Sequence, residues 1–263
     1  LLEKQQNFHS LGGDSMRRLL LVLFFFPSLL LAKEYSFNVD FNRGDISTFF
    51  IAEGNKVYRI TQSIDAIYIF NSQARAQRFV AQPNTRSKPS TAVNVGDTRV
   101  YVDNIDAIDY YTSNSMSGSA GQVKSINGLS FNYLSDSSTY KNAGVVGKLS
   151  KVGNTKVTYW VDAGYTVKGK YRGKIRTLGN KSFKYESWSS WGEKNGMVGK
   201  LISLGPINID YYDTDYDLGY KGKLKSVGKI NFSYYRDTST NQKANIVGKF
   251  KEQKGRDSRL TVY

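Results

Sequence analysis

A segment reading GKLKSVGKINFSYY, from Gly222 to Tyr235, occurs in diverged form four more times. The other copies are GQVKSINGLSFNYL from Gly121, GKLSKVGNTKVTYW from Gly147, GKIRTLGNKSFKYE from Gly173 and GKLISLGPINIDYY from Gly199, with a partial GKFKEQKG from Gly248. The leading glycines lie 26 residues apart, except for 23 between Gly199 and Gly222. Counting the leading glycine as position 1, position 3 is aliphatic or Phe, position 11 is Phe, Val or Ile, and position 13 is Tyr133, Tyr159, Tyr185, Tyr211 or Tyr234. Period-2 apolar spacing on both sides of a break predicts two strands, each with one face turned inward. The break, position 7, is Gly153, Gly179, Gly205 or Gly228, and Asn127 in the first copy. Glycine and asparagine share tolerance of φ > 0, so a tight turn is expected there. One unit is thus a β-hairpin of about 26 residues, and the array is an all-β antiparallel meander, open or rolled up. A lone hairpin is marginal in water, and stacking buries a continuous face.

Upstream, residues 33–120 read as a β region of a different kind. KEYSFNVDFN alternates from Tyr35 to Phe41, and Ile46–Ala52 and Val57–Phe70 read as further strands. Residues 81–95, with Pro83 and Pro89, read as an exposed loop. IDAI at Ile64–Ile67 returns at Ile105–Ile108, which suggests two diverged copies of one hairpin unit. Charge separates the two stretches. Residues 33–120 hold 9 basic and 9 acidic side chains, whereas residues 121–263 hold 25 and 11. The excess positive charge belongs to the array, as expected of regions with different roles.

Arg17 and Arg18, an apolar run from Leu19 to Leu31 and Ala32 read as a secretory signal peptide over residues 16–32. The run is shorter than the ~20 residues of a spanning helix. Residues 1–15 are expected to be a non-native upstream extension, with Met16 as the start.

The repeat resembles the bacterial β-hairpin repeats of the YD (RHS-type) and MORN-like families. These also set a Gly-Lys/Arg-aliphatic step against a tyrosine-bearing strand. The resemblance covers roughly residues 98–263, and the sequence departs from the YD pattern in lacking a regular Tyr-Asp pair. It implies a secreted or surface scaffold and transfers no functional residue.

Chemistry is constrained mainly by what the chain lacks. There is no cysteine, and His9 is the sole histidine, ahead of the expected signal peptide. That removes thiolate chemistry and disulfides, and in the processed chain the usual general base and metal ligand. Glu34, Glu53, Glu186, Glu193 and Glu252 form no recognisable carboxylate pair. DTDYD at Asp213–Asp217, preceded by Asp210, imitates the start of a calcium loop but lacks its Gly and Glu spacing. No cofactor or metal is expected, and an enzyme working through carboxylates alone is the least favoured reading.

Two features are candidates for binding. Position 2 is Lys148, Lys174, Lys200, Lys223 and Lys249, expected to point away from the apolar face at steps of about 9–10 Å. Such a ladder would suit a polyanion: nucleic acid, lipopolysaccharide or an acidic polysaccharide. It would equally keep a long sheet soluble. Position 14 supplies Trp160, Tyr212 and Tyr235, expected on the face opposite the tyrosine column, and Trp188 and Trp191 sit in a loop. These could stack on sugars or bases, or pack across strands. The expectation is an exported, non-enzymatic β-repeat protein of the periplasm, cell surface or extracellular space that binds an acidic polymer. The alternative is an outer-membrane β-barrel, which would make the membrane the partner.

Overall fold

The computed structural model describes residues 33–83, 87–161, 171–187, 196–213 and 220–263. The signal-peptide and upstream-extension readings concern residues 1–32 and lie outside the described residues.

The apolar runs of the N-terminal region form a central sheet. Its strands are β1 (Tyr35–Asp40), β2 (Asp45–Glu53), β3 (Lys56–Ile60), β4 (Ile64–Ile69), β5 (Thr91–Val95) and β6 (Thr98–Val102). A strand from the other end of the chain, Leu260–Val262, adds beside β1 in parallel. β4 and β6 also run in parallel, with the connection between them carrying helix α1 (Gln73–Ala81). Ser72 caps α1 by accepting a hydrogen bond from the Arg75 amide, and Ala76, Phe79 and Val80 are buried at helical spacing. These residues pack with Phe50, Ala52, Val57, Tyr68 and Phe70 into a core on one face of the sheet. The expected exposed loop over 81–95 is therefore corrected: Ala81 ends a helix and Thr91–Val95 is a strand. The two IDAI segments also differ. The first forms β4, while Ile105–Ala107 is an irregular stretch entering another sheet.

That second sheet has twelve strands in strict sequence order. It opens with β7 (Ile108–Tyr110) and continues through five hairpins. They are β8 (Val123–Ile126) with β9 (Leu129–Tyr133), β10 (Leu149–Val152) with β11 (Thr155–Tyr159), β12 (Ile175–Leu178) with β13 (Lys181–Tyr185), β14 (Leu201–Leu204) with β15 (Ile207–Tyr211), and β16 (Leu224–Val227) with β17 (Ile230–Tyr234). It closes with β18 (Phe250–Lys254), and the chain then crosses back as β19 (Leu260–Val262). Short helices α2 (Ser138–Ala143) and α3 (Ser239–Lys243) lie in two of the links between hairpins. The turns carry the expected strain relief: Gly153, Gly179, Gly205 and Gly228 have φ between 54 and 59°, and Asn127 has φ 49°. The meander is an antiparallel sheet that does not close, since β7 and β18 are each paired on one side.

The inward face of the meander meets the other face of the central sheet in one continuous core. Phe49 of β2 lies 5.9 Å from Phe183 and 6.0 Å from Phe37, and Phe41 lies 4.3 Å from Phe250, centroid to centroid. Hydrogen bonds also join the two sheets. The Leu224 amide donates to the Gly44 carbonyl at 2.6 Å, and the Thr155 hydroxyl donates to the Glu53 carboxylate at 3.3 Å. Lys33–Tyr263 is thereby one compact unit of helix, central sheet and meander. Among the described residues no helix is long and apolar enough to cross a membrane.

Candidate functional site

The position-13 tyrosines form a column along the inner face of the meander, where a one-residue register shift precedes each of them. Tyr133, Tyr159 and Tyr211 donate from their hydroxyls to the position-3 carbonyl of their own hairpin, Val123, Leu149 and Leu201, at 2.7–3.2 Å. The Tyr185 and Tyr234 hydroxyls are buried without a hydrogen-bond partner among the described residues. Burial raises the pKa of all five phenols, because a phenolate there would lose its hydration.

Four of the five position-2 lysines complete this column instead of facing outward. Each of the four lays its ammonium over the tyrosine ring of its own hairpin and donates to the leading-glycine carbonyl of the next one. Lys148 lies 5.6 Å from the Tyr159 ring centre and donates to Gly173; Lys174 lies 5.1 Å from Tyr185 and donates to Gly199. Lys200 lies 4.7 Å from Tyr211 and donates to Gly222 at 2.7 Å; Lys223 lies 5.2 Å from Tyr234 and donates to Gly248. The expectation of an outward ladder is thus corrected for these four. A strand residue's Cβ sets only the first step of its side chain, and four methylenes let the ammonium fold back to an orphan carbonyl and an electron-rich ring. Desolvation lowers the pKa of Lys148, Lys174 and Lys223. Lys200 and Lys223 also reach the central sheet, through an ion pair with Asp45 at 3.1 Å and a bond to the Asn42 carbonyl at 2.9 Å. Lys249, the last of the series, is exposed.

The position-14 aromatics are likewise packed. Tyr212 donates to the Phe232 carbonyl at 2.7 Å and meets Tyr220 and Tyr234 edge-on, so it lies beside the column and not opposite it. Tyr111 makes the equivalent bond to Phe131. Trp160 meets Tyr171 edge-on at 5.5 Å, carries the Arg176 guanidinium on its ring at 4.8 Å, and keeps a buried indole N–H without a hydrogen-bond partner. Tyr235 is half-buried, its amide donating to the Lys249 carbonyl. Trp188, Trp191, Glu193, Asp215 and Asp217 lie outside the described residues. Asp210 accepts from Ser226 across the strands at 3.1 Å. Among the described residues no group of three or more His, Cys, Asp or Glu side chains could hold a metal.

The cations that remain exposed line the outer face of the meander. They include Lys124, Lys151, Lys156, Arg176, Lys184 and Lys225, each on a strand whose buried residues face the core. Lys151 and Lys156 are direct cross-strand partners, and neither forms an ion pair with a described residue. Like charges in that register repel. Their neighbours on this face are small and polar, with Thr158 and Thr177 hydrogen-bonded across the seam at 2.7 Å and Ser125 bonded to Asp109 at 2.5 Å. A separate cleft of about 400 Å³, lined by Asp45, Thr61, Gln62, Lys174, Tyr185 and Lys200, holds cations already committed to Asp45 and to glycine carbonyls. Comparison with protein-family models, with curated proteins and with solved structures finds no match to this chain.

Proposed function

We propose that this is an exported, non-enzymatic β-repeat protein that binds an acidic envelope or extracellular polymer on the outer face of its meander. The observation that carries this reading is the Lys151–Lys156 pair, without an ion-pair partner among the described residues, on a face of serines, threonines and lysines. A bound anionic chain would relieve the repulsion and release counterions. The 26-residue hairpin unit is the scaffold in this reading, in keeping with the secreted or surface scaffold that the resemblance to YD and MORN-like repeats implies. Of the position-2 lysines, the four stapled ones hold the scaffold, and Lys249 is exposed at its end. An outer-membrane barrel needs a closed ring of strands with an apolar outer band, and the open meander with its charged outer face favours the binding module instead.

Retention on immobilised heparin at several salt concentrations tests this. Replacing Lys151, Lys156, Arg176 and Lys184 with glutamine is expected to lower the elution salt and flatten the salt dependence of binding. An unchanged elution point ends the reading. Release from cell envelopes by high salt without detergent is the expected fractionation behaviour.

A further inference from the structure

The two ends of the meander are complementary halves of a single hairpin. Register aligns β7 with the second strand of a unit: Ile108 pairs with Ile126 as Phe131 pairs with Val152. The run IDYY at Ile108–Tyr111 repeats at Ile209–Tyr212. Tyr110 therefore occupies position 13 of a unit whose first strand is missing. β18 is the reverse case, a first strand beginning at Gly248 with no second strand after it. Each end also carries an unfinished staple. Lys249 is exposed and has no tyrosine ring of its own hairpin to cover, while Tyr110 is 52% exposed. Gly173, Gly199, Gly222 and Gly248, whose carbonyls accept lysines, are buried, whereas Gly121, which no lysine reaches, is exposed.

We propose that copies of this chain associate head to tail, β18 of one against β7 of the next, with Lys249 completing the missing staple on Tyr110 and the Gly121 carbonyl. Charge supports this occupant. The stretch 249–256 carries Lys249, Lys251, Lys254 and Arg256 against Glu252, which pairs with Lys254, while 106–110 carries Asp106 and Asp109 and no cation, Asp103 being paired with Arg75. Each edge repels its own kind and attracts the other, the charge pattern that guards edge strands against symmetric pairing. Contact is concentrated at the staple end, because Asn127 already accepts from the Asp106 and Ala107 amides and closes the turn end of β7. An interface of this type joins unlike patches, so it propagates as a ring or an open series.

Sedimentation velocity of the purified protein across concentration and salt tests it. The expected result is a mass series that grows with concentration and shrinks in high salt. K249E/K251E spoils one edge and D106K/Y110K the other; all four residues are exposed, and urea midpoints check that both variants fold. Each alone is expected to be monomeric, with association weakened by about tenfold or more, while a 1:1 mixture associates again, the intact β18 of one variant meeting the intact β7 of the other. A protein that stays monomeric at every concentration overturns the proposal. So does a dimer that both variants still form alone, or a mixture that forms nothing.

Discussion

Strand β2 of the central sheet buries four consecutive residues, Phe49 to Ala52, whereas no strand of the meander buries more than two in a row. The central sheet lies between α1 and the meander, so both of its faces must be apolar. The meander has one dry face and one wet face, and its strands alternate. Connectivity differs in the same sense. The meander pairs only neighbours in sequence, while the central sheet recruits β19 from the far end of the chain and places β4 beside β6 in parallel. The regular sheet thus depends on an irregular one for its core. In return it supplies the polar outer surface.

Alkali is expected to have the largest effect on this partnership. The folded-state pKa values of the buried tyrosines are raised, those of Tyr35 and Tyr263 to about 12. The unfolded chain therefore releases phenolic protons first, near 10. Stability is fully present below that value and is lost as pH climbs above it. The depressed lysines Lys148, Lys174 and Lys223 act in the opposite direction, since folding favours their neutral form as pH rises, but they are outnumbered. Tyrosinate absorbance should rise together with loss of circular dichroism, above pH 10. A tyrosinate titration complete before unfolding would contradict burial of the column.

Phe49→Ala comes next. It removes the ring shared by the two sheets and should cost about 3–5 kcal/mol in urea denaturation. A single cooperative transition is expected, because the sheets share one core; two transitions would separate them. Turn glycines discriminate more finely. Gly54→Ala, with φ +61° and open space around it, should cost about 1–2 kcal/mol from backbone strain alone. Gly228→Ala should cost more, since its Cβ would meet the Asp257 carboxylate at 2.6 Å, where the meander touches the segment leading to β19.

The staples give the most diagnostic effects. Lys200→Met should destabilise by about 1.5–3 kcal/mol, the range for hydrogen bonds to charged groups, and Tyr211→Phe by about 0.5–1.5 kcal/mol. Lys249→Met in the monomer should stay within about 0.5 kcal/mol. Equal effects at Lys200 and Lys249 would show that the staple contributes nothing to folding.

Much of the meander was legible in advance, since its hairpins follow from alternation around residues that accept φ > 0. The central strands were legible as apolar runs, but their order was not. Parallel pairing of β1 with residues some 220 positions away leaves no local trace. Helix α1 was missed although Ser72 and the spacing of Ala76, Phe79 and Val80 carried its signal, because the nearby prolines read as loop. The position-2 lysines are legible in sequence as a series, but the rings and carbonyls that receive four of them are not.

Sequence by itself determined the hairpin: a glycine or asparagine that turns, apolar positions that turn inward, and a tyrosine held at one place in each copy. Those properties are local, set by backbone sterics and by the two-residue period of a strand. Tertiary structure decided where the lysines went. The carbonyl that receives Lys174 belongs to Gly199, 25 residues on in the chain and adjacent only when the hairpins stand side by side. A long flexible side chain has no direction until its neighbours are in place. The same stacking leaves Lys249 and Tyr110 without their usual partners, which is a property of the array's ends and not of any one repeat.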